Sequence, residues 1–314
     1  MAKKTKDEIQ AHFDRRRANQ YTDLHVNEDT TLMPFLMKQS LGTRTRVKEL
    51  LTSRMVFVNH QITTQYNAPV RKGDLVQILK KRNVHEFHSD KVKIIYEDAF
   101  LMVVNKSNGI LTSPSSGNSA KTVKDLLNEY VKHQSKFLSV HTVHRLDRET
   151  SGLLIFAKRR DVQKAFMDNW KGHVIDRRYV AVVEGEVEKD EGTVTSWLKD
   201  NKMFVTYSSP IDNGGQYAVT HYRTMQRLKG FSLLELVLET GKKNQIRVHM
   251  QDIGHPIVGD YKYGSHFDPV GRVALHAIRI AFYHPITHEL LDFETPVPDD
   301  FLHIPTLPHN RLED

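Results

Sequence analysis

The sequence contains no cysteine, and this absence excludes disulfides, thiolate zinc sites and cysteine nucleophiles together. Long apolar runs are also missing. No segment approaches the roughly 18 uninterrupted apolar residues of a membrane span. The charged start MAKKTKDEIQAHFDRRR has no apolar stretch of signal-peptide length. These absences lead us to expect a soluble protein of the cytoplasm.

Basic residues are in excess. Lysine and arginine total 45 against 38 acidic residues, which gives a formal net charge of +7 and an isoelectric point near 9.3. Such a balance favours a polyanionic partner, although it carries no information on the fold. With 314 residues and no internal repeat, the chain is long enough for about two domains.

The first part of the chain divides into a leader and a compact module. Residues 1–30 are polar and predict a flexible leader, either a solvated tail or an arm that touches the partner. Residues 31–82 predict two short helices followed by short strands. We expect Thr45 to cap the second helix and residues 75–79 to form the best strand of the module.

Basic side chains crowd the helices of this module and could face phosphates, although charge alone slightly favours a solvated helix face. They are Lys38, Arg44, Arg46, Lys48 and Arg54. The run TRTRVKELLTSRMVFVNHQITTQYNAPVRKGDLVQI resembles the S4-like domain, a small RNA-binding domain shared with a ribosomal protein. The resemblance implies that these five residues form an RNA-binding surface.

The remaining sequence predicts a larger second domain. Residues 83–92 are charged and predict a linker, residues 93–305 the domain itself, and residues 306–314 a C-terminal tail. Strand-like runs dominate and helical stretches lie between them, which predicts an α+β fold around a mainly antiparallel sheet. The clearest strands are residues 153–157, 179–183, 233–238 and 278–282, and the clearest helices are residues 123–131 and 161–170.

The segment HRLDRETSG, residues 144–152, carries a candidate catalytic group. It places Asp147 between two guanidiniums, those of Arg145 and Arg148, immediately before an apolar strand. An aspartate that is held by arginine at the edge of a sheet is fixed in direction, as a nucleophile or a cation stabiliser requires. A structural ion pair in a loop is the simpler alternative.

All nine positions of this segment match the hallmark motif of the RluA-type pseudouridine synthases, and the chain resembles that family over residues 32–301. The resemblance implies that Asp147 is the catalytic nucleophile. It also implies that Arg145 helps to hold the target base out of its stack, with His144 and Arg148 contacting the RNA beside it.

The segment RRYVAVVEG, residues 177–185, resembles the second motif of the same family. The resemblance implies that Tyr179 stacks on the target base and lies near the C5 proton that the reaction removes. Outside such a motif, a tyrosine on a strand would be ordinary core packing.

The segment TGKKNQIRVHMQDIGHPIVGDYKYG, residues 240–264, resembles the third motif. It implies that Arg247 forms an ion pair with Asp147 and aims its carboxylate, while Lys242 and Gln245 help to bind the RNA. Lysine at position 242 replaces the usual arginine of the motif. Asparagine at position 244 likewise replaces the usual histidine, and we interpret both changes as tuning of supporting contacts.

The chemistry that the resemblance implies needs few groups. Isomerisation of uridine breaks a C–N glycosidic bond and remakes it as C–C, without redox change or consumption of water, so we expect no cofactor and no metal. Residues 115–122, SSGNSAKT, lack the glycines of a phosphate loop and instead predict a turn that leads into a helix capped near Thr122. His141 and His144 show no metal-ligand pattern.

The sequence thus predicts a monomeric, two-domain RNA pseudouridine synthase that acts on large-subunit (23S) ribosomal RNA. Three alternatives stay open. The protein could modify transfer RNA, it could be a non-catalytic RNA-binding factor of ribosome assembly, or it could be a hydrolase that uses Asp147 and releases free uracil.

Overall fold

The computed structural model describes residues 21–79, 87–114 and 120–304. The chain divides between residues 84 and 85 into two compact units. No helix within the described residues is long and apolar enough to cross a membrane.

The first unit combines two helices with short antiparallel strands. Its elements are β1 (Tyr21–His25), β2 (Thr30–Thr31), α1 (Leu32–Lys38), α2 (Arg44–Thr52), β3 (Val56–Val58), β4 (Gln61–Ile62), β5 (Pro69–Val70) and β6 (Leu75–Leu79). Four strands form a sheet in the order β1-β6-β3-β4, and β2 pairs with β5. Leu36 and Val47 from the helices and Val56 and Val76 from the sheet share one apolar core.

Strand β1 corrects the prediction of a leader that extends to residue 30. Tyr21–His25 pairs in antiparallel register with Leu75–Leu79 of β6. The polar composition of residues 21–25 gave no strand signal in the sequence. One polar side chain joins the two strands, since Asp23 Oδ1 accepts a hydrogen bond from Gln77 Nε2 at 2.8 Å. Residues 1–20 lie outside the described residues.

The cap of helix α2 lies two residues before the predicted one. The N-cap is Thr43, whose side chain accepts a hydrogen bond from the backbone N–H of Arg46. Thr45 lies inside the first turn instead. Two threonines two residues apart both fit a capping pattern, and only the one with extended backbone torsions can cap the helix.

The second unit is built on one large sheet with helices on both faces. Its elements are β7 (Val92–Glu97), β8 (Leu101–Lys106), α3 (Val123–Gln134), β9 (His141–Thr142), β10 (Ser151–Ala157), α4 (Arg160–Asp168), α5 (Trp170–His173), β11 (Val174–Glu184), β12 (Glu191–Asp200), β13 (Thr206–Ser209), β14 (Gln216–Leu228), β15 (Phe231–Leu238), α6 (Gln245–Asp252), a 3-10 turn (Tyr261–Tyr263), β16 (Leu275–Tyr283), β17 (Leu290–Glu294) and α7 (Asp299–Leu302).

The strands of the described residues follow the order β13-β12-β14-β15-β11-β16-β10-β8-β7, with β17 on β16 and β9 on β10. Neighbouring strands pair antiparallel except β10 and β16, which are parallel. The protein is therefore a mixed fold of helices and strands around a large mixed sheet.

Strand β10 explains why helices lie on both faces. All seven of its residues are buried, and alternate side chains enter different cores, as the period of two in a strand requires. Leu154 and Phe156 pack in the core that contains α3. Leu153 and Ile155 pack in the core that contains Phe166 of α4.

Gly152 sits where β10 and β16 approach most closely. Its φ is +116°, and a Cβ built there would lie 2.3 Å from the carbonyl oxygen of Ala277. Glycine is therefore required on steric grounds. The loop that contains Asp147 leads directly into β10. The pairing therefore places the end of this loop beside the start of β16.

Candidate active site

Asp147 lies in the loop between β9 and β10. Its carbonyl oxygen accepts a hydrogen bond from Thr150 N at 3.2 Å, which closes a turn immediately before the strand. Its side chain is 39% exposed. The carboxylate is thus accessible to a substrate, while the backbone that carries it is held on both sides.

Buried groups hold this backbone in place. The Nζ of Lys106, which is fully buried, donates hydrogen bonds to the carbonyl oxygens of Ser107, Ile110 and Arg148 at 2.9, 2.9 and 3.1 Å. Burial lowers the pKa of Lys106 to about 8, although the charges of Glu149 and Asp147 oppose the shift. The ammonium therefore anchors the residue that follows Asp147.

Thr112 holds the residue that precedes the aspartate. Its hydroxyl donates to Leu146 O at 2.8 Å. In return, Thr112 Oγ1 accepts a hydrogen bond from Leu146 N at 3.2 Å. Thr112 is 1% exposed. Sequence reasoning gave no role to this threonine or to Lys106, because neither lies in the motif that contains the aspartate.

The two arginines that flank Asp147 do not clamp its carboxylate as the sequence led us to expect. The Nε of Arg148 donates to Gly109 O at 3.2 Å and lies 3.6 Å from Glu149. Arg145 is exposed on the loop. Successive side chains of the loop point in different directions. The arginine that approaches Asp147 is instead Arg247, from another part of the chain.

His144 supports the loop from within. Its Nε2 accepts a hydrogen bond from Ile155 N at 3.1 Å, and its ring packs 5.3 Å from that of Trp170, centroid to centroid. Burial, together with the charge of Arg177, lowers the pKa of His144 to about 3. The neutral ring thus supports the loop, and its expected contact with RNA stays a prediction.

Tyr179 reaches the same region through the register of the sheet. In β11 it pairs with Ala277 of β16, and Ala277 pairs in turn with Gly152 of β10. These three residues lie side by side on neighbouring strands, and Gly152 is five positions beyond Asp147 in the chain. The sheet therefore brings the second motif next to the first.

The phenol of Tyr179 is 7% exposed and stays protonated. Burial raises its pKa, the charge of Arg177 opposes the shift, and the charge of Asp147 adds to it. A neutral aromatic ring close to a carboxylate is suited to stacking on a base. It is less suited to taking a proton in the resting state.

Arg247, on α6, is the arginine that approaches Asp147: its Nη1 lies 3.7 Å from Asp147 Oδ2. Its stronger partner is Asp260, which accepts from Nε at 2.6 Å and from Nη2 at 2.7 Å. The guanidinium also lies over the ring of Tyr263, 4.8 Å from the centroid. Arg247 and Asp260 form a bidentate pair, with the Nη1 corner turned toward Asp147.

Asp260 was missed as a site residue. It is 1% exposed and lies in the sequence GDYKYG, 13 residues after Arg247. Burial lowers the pKa of Arg247, but the hydrogen bonds and charge of Asp260, followed by the charge of Asp147, raise it further. A buried carboxylate between tight turns was the available signal, since such a group requires a partner.

Gln245 and Lys242 lie on either side of Asn244, the N-cap residue of α6. Gln245 is 2% exposed; its oxygen accepts from Thr240 Oγ1 and Lys242 N, and its amide donates to Val219 O and Thr220 Oγ1. Its polar atoms are therefore used inside the protein, which corrects the expected RNA contact. Lys242 and Lys243 line a cleft of about 310 Å³, together with residues of β12, Thr206 of β13 and residues 214–216.

In the first unit, Arg44 and Lys48 are exposed on α2, and Arg46 between them is half-buried. Arg44 and Lys48, four residues apart, share one face of the helix. Arg46 is paired with Glu49 at 3.1 Å, and Lys38, at the end of α1, is paired with Glu28. Arg54 follows α2 with a positive φ of 56°.

Metal and phosphate-loop sites receive no support from the part of the chain that the structure describes. Across residues 21–79, 87–114 and 120–304, no three His, Cys, Asp or Glu residues are grouped so that they could hold a metal ion. Of the phosphate-loop-like segment 115–122, residues 115–119 lie outside the described residues. Thr122 forms a capping box with Asp125 at the start of α3, as predicted.

Comparison with known sequences identifies relatives that span most of the chain. The sequence model described as RNA pseudouridylate synthase matches residues 100–252. Ribosomal large subunit pseudouridine synthase D of Buchnera aphidicola is 33% identical over 304 residues, covering 90% of this chain and 93% of the relative. An RNA pseudouridine synthase of Bacillus subtilis, YhcT, is 34% identical over 259 residues, covering 81% and 85%.

A solved structure shows the same fold. Human RNA pseudouridylate synthase domain containing 4 superposes with a TM-score of 0.54 and 23% sequence identity, covering 67% of this chain and 90% of that one.

Proposed function

Since the chain belongs to the RNA pseudouridylate synthase family and is an RNA pseudouridine synthase, we propose that its substrate is large-subunit (23S) ribosomal RNA and that Asp147 is its nucleophile. The observation that carries the proposal is the exposed carboxylate of Asp147, 3.7 Å from a guanidinium that a second, buried carboxylate holds in place. Several relatives are ribosomal large subunit pseudouridine synthases D, and this supports the ribosomal substrate.

The reaction that we assign to this site balances without a cofactor. The bond between uracil N1 and ribose C1′ breaks, a bond forms between C5 and C1′, the proton on C5 leaves to solvent, and N1 gains a proton. Asp147 is placed to attack the sugar or to stabilise it as uracil departs. Arg247, whose Nη1 lies 3.7 Å from Asp147 Oδ2, aims the carboxylate.

The roles of Arg145 and Tyr179 follow from the sequence motifs that contain them. Arg145, exposed on the loop, fills the space from which the base is flipped, which offsets part of a cost of about a few kcal/mol. Tyr179 stacks on the flipped base, and its protonated phenol favours stacking over proton abstraction as its role.

A hydrolase would require a second carboxylate that activates water. Asp260 is the carboxylate on the other side of Arg247, but it is 1% exposed and both of its oxygens accept from that arginine. This arrangement favours isomerisation over release of uracil.

The first unit supplies an RNA-docking module in this proposal, with S4-like character as the sequence implies. Its support is the exposed face of α2 that carries Arg44 and Lys48. Such contacts to phosphates would make RNA binding depend on salt. The cytoplasmic location, the monomeric state and the domain ends at residues 82 and 305 remain predictions from the sequence.

The test is tritium release from RNA that is labelled at uridine C5, with free uracil measured in the same reactions. We expect release from large-subunit ribosomal RNA, as naked RNA or in a precursor particle, without free uracil. Release from transfer RNA alone would overturn the ribosomal substrate. Release of free uracil would support the hydrolase, and binding without any release would support an assembly factor.

A further inference from the structure

Asn244 contacts the corner of Arg247 that faces Asp147. The guanidinium presents one edge, Nε and Nη2, to Asp260, so that Nη1 is the remaining corner. This nitrogen donates to Asn244 Oδ1 at 3.0 Å and lies 3.7 Å from Asp147 Oδ2. Nη1 carries two hydrogens, one for each of these two acceptors.

The orientation of the Asn244 amide follows from its neighbours. Asp200 is an acceptor whose pKa is lowered by its hydrogen bond from Lys243, so the hydroxyl of Thr206 donates to it, at 2.7 Å. The Thr206 oxygen is then the acceptor for Asn244 Nδ2, at 3.3 Å. Because arginine can only donate, the amide oxygen must face Arg247.

The backbone of Asn244 supports this arrangement. It is left-handed, with φ 53° and ψ 18°, a conformation that asparagine adopts more readily than most residues. The residue is 8% exposed and immediately precedes α6, three positions before Arg247. The amide is thus fixed at both its backbone and its side chain.

We propose that Asn244 is a positioning residue that takes one hydrogen of Arg247 Nη1 with a neutral oxygen and leaves the other hydrogen for Asp147. A charged acceptor at this position would compete with Asp147 for the guanidinium. An absent acceptor would leave one Nη1 hydrogen without a partner, and the Arg247 side chain, which is only 12% exposed, would turn to find another. The inference rests on the proposed function, in which Asp147 reacts with the substrate.

The experiment compares three full-length variants in single-turnover assays on C5-labelled RNA. Asn244→Gly removes the amide and tolerates the left-handed backbone. Thr206→Val is the matched control, because it removes the other partner of the amide and leaves the oxygen on Arg247. Asn244→Asp keeps the shape and adds a charge.

We expect Asn244→Gly to lower the single-turnover rate by about tenfold to a hundredfold, which is the contribution of a hydrogen bond to a charged group. Its RNA dissociation constant should match that of the wild type, and its melting temperature should match that of Thr206→Val, which should lose less than about threefold in rate. Asn244→Asp should also move the acid limb of the pH–rate profile, an effect that loss of packing does not produce.

Two results would overturn the inference. One is a rate for Asn244→Gly within about threefold of the wild-type rate. The other is an equal loss of rate in Asn244→Gly and Thr206→Val, in proportion to their loss of stability. Asp147→Asn, assayed in parallel, separates the two proposals. If Asp147→Asn is inactive and Asn244→Gly is fully active, only the role of Asn244 is rejected. If Asp147→Asn is active, the proposed nucleophile is rejected.

Discussion

Arg247 donates two hydrogen bonds to Asp260, at 2.6 and 2.7 Å, and approaches Asp147 only to 3.7 Å. The buried carboxylate, and not the exposed one, therefore sets the position of the guanidinium. Asp147 remains accessible on the side of Arg247 that Asp260 does not occupy. This division of roles separates holding the arginine from reacting with the substrate.

We expect Asp260→Asn to damage both stability and activity. Removing one partner of a buried ion pair costs about 3 kcal/mol of the free energy of unfolding. The released guanidinium would shift, and a displacement of about 1 Å in a catalytic group can lower a rate about 100-fold. Urea unfolding and single-turnover assays measure the two effects.

Asp190→Asn is the matched control for this substitution. Asp190 is paired with Arg227 and is 86% exposed, so its removal should change the free energy of unfolding by less than about 1 kcal/mol. Equal effects of the two substitutions would contradict the role given to Asp260.

Arg247→Lys tests geometry at constant charge. A lysine ammonium cannot donate in parallel to both oxygens of Asp260 while also facing Asp147. We expect the rate to fall by about tenfold or more, with a smaller change in RNA affinity. A variant with wild-type rate would show that only the positive charge matters.

The sequence predicted those features of the site that depend on neighbouring residues. It did not predict the contacts between segments that are distant in the sequence. The sequence placed Asp147 directly before an apolar strand and Thr122 at the start of a helix, and both features are present. These depend on residues within a few positions of each other. Lys106, 41 positions from Asp147 along the chain, and Asp260 carry no such local signal, since their contacts with the site depend on how separate segments pack together.

Lys106 should make stability depend on pH. Its folded pKa of about 8 lies below its usual 10.5, so between these values the unfolded chain holds the proton and the folded protein does not. Stability from this group therefore rises as pH increases through this range. Between about pH 7.5 and 9.5, the free energy of unfolding of the wild type should gain on the order of 2 kcal/mol relative to Lys106→Met.

Urea unfolding of both proteins at the two pH values measures this gain. All other titrating groups are shared, so they cancel in the difference. A difference that stays constant, or that falls as the pH rises, would contradict the buried, partly discharged lysine that holds the Asp147 loop.

Gly152→Ala should prevent normal packing of β10 on β16. The new Cβ would lie 2.3 Å from Ala277 O, and φ is +116°. We expect a loss of more than about 4 kcal/mol in the free energy of unfolding, a magnitude reserved for specific steric failures. Gly254→Ala, with φ of +80° and no atom within 4 Å of the Cβ, should lose only about 1 to 2 kcal/mol from backbone strain. Similar losses would show that conformation and not the close approach requires glycine.

The flanking arginines illustrate why part of the prediction was wrong. Adjacent positions in a sequence suggest contact, but loop side chains next to each other point in different directions. Arg148 turns to Gly109 and Glu149, while the contact to Asp147 comes from residue 247. Strand β1 was missed for a related reason, since its polar residues pair with β6 and give no apolar signal.

The most direct test of the account is tritium release from C5-labelled large-subunit ribosomal RNA by Asp147→Asn, alongside the wild type. The substitution keeps the size of the side chain and removes its charge and nucleophilicity. The account predicts no release above background and no free uracil, with RNA binding intact. Release at more than about a tenth of the wild-type rate, a barrier change of only about 1.4 kcal/mol, would contradict Asp147 as the nucleophile.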